Sequence, residues 1–252
     1  MARGKPKDKV SPKDGSAHAG PPPKKVQLAR VWRRRALIIT AVVMFWPPVF
    51  ILPLWLFDPP VTTFIVGEAL DRISADKSPW WPRRTVISRE EMSPAVVRAI
   101  LASEDDAFYL HPGFDLRQLE AALTEEGRKS LRGASTITQQ TAKNLFLWGG
   151  RSYVRKALEA YVTVWLELCL SKDRILEIYL NLLECGDGAF GVEACARLHF
   201  KAPASKLTED QAARLAAILP NPTKWSPRGE YASSRVPELR ARMRVPIAKP
   251  QD

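Results

Sequence analysis

The feature that most limits how this chain can fold is an uncharged apolar run from Ala36 to Phe57, 22 residues long, entered directly from Arg30-Val-Trp-Arg-Arg-Arg35. A hydrocarbon core takes about 20 residues in helical form, so the run predicts one membrane-crossing helix. A cleaved signal peptide has a shorter apolar stretch followed by a small-x-small site. Here the run ends in Leu56-Phe57-Asp58-Pro59-Pro60, so an uncleaved anchor is expected. Pro47, Pro48 and Pro53 predict kinks in it, with the freed carbonyls satisfied locally. The arginines precede the run, which places the N-terminus in the cytoplasm and everything after Asp58 outside, on a single-pass protein of the cytoplasmic (inner) membrane.

The charge follows the same division. Residues 1–35 hold eleven Lys and Arg against Asp8 and Asp14, so of the net +11 only +2 belongs to the other 217 residues. Orientation and attraction to anionic lipid account for such a tail, and no nucleic-acid partner is expected. With 46% hydrophobic and 26% charged residues, the composition excludes a wholly disordered chain and a multi-span one. The expected organisation is a disordered basic tail over 1–35 (most clearly Met1 to Lys25), an anchor over 36–57, an amphipathic connector over 58–84, and a main domain over 85–252. Cys169, Cys185 and Cys195 show no CxxC spacing and cannot all pair. They predict neither a disulfide framework nor a zinc site, and are expected as small core residues.

In the connector, Val61, Phe64, Ile65, Ala69, Leu70 and Ile73 recur at helical spacing. Such a helix could lie at the membrane surface or pack on its own domain. Trp80-Trp81-Pro82 marks a break rich in indole. From Ser93 onward the pattern is helical: Ser93 as N-cap with Pro94 in the first turn, then Ser152–Leu170, Lys172–Leu183, Phe190–His199 and Thr208–Leu219. The fold class is mainly α.

Three stretches carry chemistry. Glu104-Asp105-Asp106 closes a helix, followed by Phe108, His111, Gly113 and Asp115. Mutual repulsion and the negative helix end both favour protonation, so one of these acids could serve as a general base, or the cluster could be a solvated helix end. In the second, Gly133 to Asn144, Ser135 is a plausible N-cap. On a helix, Ser135, Gln139 and Lys143 form one stripe and Thr136, Gln140 and Asn144 the next. That polar face with one cation suits a ligand rich in hydroxyl and phosphate oxygens, or simply faces water. In the third, Arg155, Lys156 and Glu159 make a surface ion pair or else handle a departing phosphate, directly or through a divalent metal. Lys172 to Asn181 reads as packing.

The order EDDAFYLHPGFD, GASTITQQTAKN, RKALE, KDRILEIYLN, GAFGVEACARLHF resembles the five-motif signature of the family 51 peptidoglycan glycosyltransferases, in particular the monofunctional membrane-anchored form. The similarity spans about residues 58 to 244 and includes the segment PNPTKWSP, Pro220 to Pro227. It implies a mainly α, lysozyme-like glycosyltransferase domain with a small membrane-embedded jaw subdomain, behind one N-terminal transmembrane helix. The implied reaction is inverting polymerisation of lipid II into glycan strands with release of undecaprenyl pyrophosphate. By this resemblance Glu104 is the general base, and Glu159 is the second important glutamate, assisting the pyrophosphate leaving group with Lys143, Arg155 and Lys156. Asp105, Phe108 and His111 shape the site, and Ser135, Thr136, Gln139, Gln140, Lys143 and Asn144 surround the sugars and pyrophosphate. Arg155 and Lys156 contact the pyrophosphate. The expected partners are lipid II, the growing strand, membrane lipid, and divisome or elongation proteins. A divalent cation (Mg or Mn) is the only cofactor to consider, and no organic cofactor is expected.

The chain departs from the pattern in the fifth motif. His199 stands where Tyr is usual, Lys201 where Gly follows Phe200, and Cys185 and Cys195 at apolar positions. Its only Ser-x-x-Lys runs from Ser74 to Lys77 without companion motifs, so no transpeptidase is expected. Two rival readings are a peptidoglycan-cleaving enzyme of lysozyme type and a non-catalytic membrane-tethered scaffold for cell-wall assembly.

Overall fold

A computed structural model describes residues 24–118, 120, 135–150 and 152–248. The disorder expected for residues 1–23 and the glycine turn at Gly133 fall outside them. The chain divides into two units, Met1–Phe45 and Trp46–Asp252.

In the first unit the described residues are helical. Helix α1, Lys24–Ile51, begins twelve residues ahead of the apolar run and so includes the Arg cluster, where the sequence reading left the whole basic tail without structure. Leu, Arg and Ala are good helix formers and extend the helix from the apolar run. Leu37, Ile38, Ile39, Val42 and Val43 are all exposed, a surface that lipid rather than protein would cover. The span long and apolar enough for a membrane is Arg30–Trp55. Pro47 and Pro48 lie within α1 without ending it. The helix stops at Ile51, and a tight single turn, Leu52–Trp55, accommodates Pro53.

The second unit includes residues 58–84, expected as a connector. Helix α2, Thr63–Ser74, is capped by Thr62, whose hydroxyl accepts from the Ile65 amide at 3.2 Å. It buries Ile65 and Ala69 while leaving Val66, Leu70 and Ile73 exposed. Strand β1, Arg83–Arg84, pairs in parallel with β2, Ala189–Phe190. The Arg84 guanidinium donates to the carbonyls of Asn181 (3.0 Å) and Pro59 (2.5 Å), so residues 58–84 are tied into the main domain.

The remaining helices are α3 (Pro94–Glu104), α4 (Ile137–Phe146), α5 (Tyr153–Cys169), α6 (Lys172–Leu182), α7 (Val192–Phe200), α8 (Glu209–Ile218) and α9 (Glu230–Met243). Helix α3 packs on α8 and α9, and α4 packs on α2, α5 and α6. Helix α6 is the central rod: Ile175, Leu176, Ile178 and Leu180 are fully buried, and burial of each such side chain is worth about 1.5–3 kcal/mol. The fold is thus mainly helical, with one apolar N-terminal helix.

Two expectations near the fifth motif are corrected. Phe190 belongs to β2, not to a helix over Phe190–His199, because Gly191 takes φ 83° and turns the chain before α7 begins. Cys185 and Cys195, expected as unpaired core residues, form a disulfide, while Cys169 is free. Their spacing of ten residues is no motif, and only the return of the chain through β2 brings the two sulfurs together. Lys201 occupies the left-handed position that ends α7 (φ 58°), which explains why glycine suits that position. The His199 ring lies 2.9 Å from the Cys185 carbonyl, and burial lowers its pKa.

Candidate active site

The site starts from the way α3 ends. Ser93 accepts from the Ala95 amide at 3.3 Å, Pro94 opens the helix, and Val96, Ala99 and Ile100 bury its inner face. After Glu104 the chain turns out of helical geometry, and the three consecutive acids meet three different fates. Asp106 is exposed and pairs with Arg242 at 3.1 Å. Asp105 is buried, accepts the Ile137 amide at 2.9 Å, and faces His111 Nε2 at 2.9 Å. It therefore caps α4 from outside, a carboxylate at a positive helix end. Glu104 faces a cavity of about 820 Å³.

Burial raises the Glu104 pKa. Hydrogen bonds from Gln140 and Ser103 and the charge of Lys143 oppose the rise, and Asp105 adds to it. Loss of water is the main cause, and repulsion from Asp105 the least. Gln140 Nε2 donates to Glu104 Oε2 at 2.9 Å, and the buried Tyr179 hydroxyl donates to Gln140 Oε1 at 3.2 Å.

Helix α4 divides its polar residues differently from the two stripes expected. The N-cap is Thr136, not Ser135: its hydroxyl accepts from the Gln139 amide at 3.2 Å, and Gln139 Oε1 accepts the Thr136 amide at 3.1 Å. The Thr136 hydroxyl also donates to the Gly113 carbonyl at 2.7 Å. Thr136 and Gln139 are thus buried in a capping box, which engages the Thr136 hydroxyl and Gln139 Oε1 with backbone amides. Ser135, Gln140 and Lys143 do line the cavity. Burial lowers the Lys143 pKa, with Glu159 as the strongest opposing charge. Asn144 is buried beside a smaller cavity of about 170 Å³, shared with Glu184 and Lys143, and its Oδ1 meets no donor among the described residues. Phe108 and His111, expected to shape the site, lie buried, with His111 against Asp105 and the two rings in edge contact at 6.5 Å. They position the cap.

Near the start of α5, Glu159 is only 3% exposed. Arg155 donates to it at 2.7 Å, and Lys156 pairs with its other oxygen. Lys156 also donates to Ser135 Oγ at 3.0 Å, which links this cluster to the cavity rim. A cation held by protein ligands does not fit here. Both Glu159 oxygens are taken by basic side chains, and among the described residues no three His, Cys, Asp or Glu side chains converge. Lysine and arginine supply the positive charge.

The far side of the cavity escaped the sequence reading. Asn221, Lys224, Trp225, Tyr231 and Arg235 line it, and Ser103, beside Glu104, was missed on the near side. Only the PNPTKWSP stretch hinted at them. Glu184 was missed as well; burial raises its pKa, Glu68 adds to the rise, and Lys143 opposes it.

Comparison with known proteins follows the same residues. A family model described as Transglycosylase matches residues 71–245. A biosynthetic peptidoglycan transglycosylase of Caulobacter vibrioides is 44% identical over 214 residues, covering 83% of this chain and 90% of that protein. One from Pseudomonas putida is 43% identical over 225 residues, covering 87% and 90%. One from Shigella boydii is 54% identical over 154 residues, covering 59% and 63%.

Proposed function

Since the chain belongs to the transglycosylase family, we propose that it polymerises lipid II into linear glycan strands and releases undecaprenyl pyrophosphate. In this reading Glu104 Oε1 takes the proton of an acceptor-sugar hydroxyl. That oxygen bonds to the anomeric carbon of the donor, the bond from that carbon to the pyrophosphate oxygen breaks, and its electron pair leaves with the pyrophosphate. An α-linked donor then gives a β-linked product. The observation that carries the reading is the pairing, in one cavity of about 820 Å³, of a carboxylate whose pKa is raised with a lysine whose pKa is lowered. A base with a raised pKa accepts a proton more readily, which typically contributes about 10²–10⁴-fold. Lys143, backed by the Arg155–Lys156–Glu159 cluster, offsets the charge that grows on the leaving group.

The setting supports the same reading. The apolar span of α1 would hold the domain at the surface that supplies a lipid-linked donor. The exposed side chains of Trp148, Tyr153 and Val154 suit the membrane-embedded jaw of a lysozyme-like domain. The Cys185–Cys195 disulfide fits a domain that matures outside the reducing cytoplasm.

The test is polymerisation of lipid II by detergent-purified protein, wild type beside Glu104→Gln, with products sized on a gel. The expected result is long glycan from wild type and none from the variant. Wild-type protein that is folded yet makes no polymer would sink the proposal.

A further inference from the structure

The cavity has two unlike walls. The end of α3 and the face of α4 form one, which carries the base and Lys143. The segment after α8 and the start of α9 form the other, and its chemistry is different. Tyr231 stacks on Trp225 with ring centroids 3.7 Å apart and planes 17° apart, so Trp225 backs Tyr231 as a firm platform. Lys224 and Arg235 flank the pair, and Glu104 is the only acid among the described cavity-lining residues. Lys224 makes no ion pair among the described residues, and Arg235 is held by Glu238 at 2.7 Å. The platform is preformed: the Trp225 amide donates to the Asn221 carbonyl at 3.1 Å, and Arg214 donates to the Pro227 carbonyl at 3.2 Å.

An apolar, electron-rich ring face beside two cations suits a ligand with both a C–H face and negative charge. A sugar ring supplies the first and a carboxylate the second. We propose that this wall binds the glycan strand, with a sugar ring lying on Tyr231 and with Lys224 and Arg235 pairing with carboxylates of its peptide stems. The assignment rests on the polymerase reading for the identity of the strand. It divides the cavity: pyrophosphate chemistry on the α3–α4 wall, strand recognition on the α9 wall.

The test is binding of a lipid-free glycan fragment to the full-length protein in detergent, once with its peptide stems and once with the stems removed. Wild type should bind the stem-bearing fragment more tightly. The double variant Lys224→Ala/Arg235→Ala should bind it about tenfold more weakly, a loss of about 1.4 kcal/mol, and bind the stem-free fragment as wild type does. Tyr231→Ala should weaken both fragments, with Tyr231→Phe restoring both. A double variant that binds both fragments like wild type overturns the carboxylate role, and an unaltered Tyr231→Ala overturns the platform. Equal loss of both fragments in the double variant also overturns the stem assignment. Melting curves and inorganic pyrophosphate binding, which uses the other wall, separate these results from misfolding. Fragment binding without lipid II polymerisation would uphold this wall and refute the polymerase reading. Polymerisation without fragment binding would do the reverse.

Discussion

The end of α3 and the start of α5 each present one glutamate to the site, and the two live in opposite surroundings. Glu104 has an amide, a hydroxyl and a more distant lysine, and its pKa is raised. Glu159 has an arginine on one oxygen and a lysine on the other, and is almost fully buried. The first environment leaves a lone pair able to take a proton. The second leaves a fixed negative charge that orients cations. Residue type does not assign the role here; the charge of the immediate neighbours does.

The sharpest way to break this comparison is to neutralise each carboxylate in turn. Glu104→Gln should cut turnover by about 10²–10⁴-fold. It should also melt higher at neutral pH. The fold raises the Glu104 pKa, so the stability this group adds is present at low pH and lost as pH rises through the raised value. A variant that melts lower would contradict the burial argument. Glu159→Gln should instead lose stability, by about 3 kcal/mol, because it strands the largely buried Arg155. Its alkaline limit of activity should also move to lower pH, since Glu159 is the main charge holding the Lys143 pKa up. Urea unfolding and pH–rate profiles on the same preparations read both effects.

Smaller changes sharpen the distinction between residues that meet the cavity and those behind it. Thr136→Val should cost about 1 kcal/mol of stability through the lost cap and leave both pH limits of activity in place. A shifted limit would mean Thr136 touches the chemistry. The smallest effect is expected for Gln140→Leu. Losing its hydrogen bond should let the Glu104 pKa rise further, so the acid limit of activity moves upward; a downward move would show that Gln140 does not stabilise the ionised base.

Much of the fold could be read from the chain because its signals are local. Ser93-Pro94 and Thr208 each mark a helix start that the structure keeps, as Ser152 does for α5. Glu104 was legible as an acid at a helix end, and Ser135, Gln140 and Lys143 as parts of a polar helix face; that they meet at one cavity is what the fold adds. What stayed hidden depends on distant contacts. That Asp105 would cap α4 requires Ile137 to arrive 32 residues later. The wall formed by Lys224, Trp225, Tyr231 and Arg235 has no periodicity, since it spans a turn and a helix start. Thr136 was misread because Ser and Thr are nearly equal as N-caps, and only the Gln139 partner decides between neighbours.

The Tyr179–Gln140–Glu104 chain also sets a direction for proton traffic. Both links donate toward the carboxylate, and burial raises the Tyr179 pKa, so that hydroxyl keeps its proton. Glu104 therefore has a sealed back and an open front. In the proposed reaction, a proton gained by Glu104 finds no acceptor along this chain, which leaves the cavity side for its departure. Recharging the base and admitting the next sugar then share one doorway, so a strand that blocked it would stall the cycle even with every bond-forming group in place.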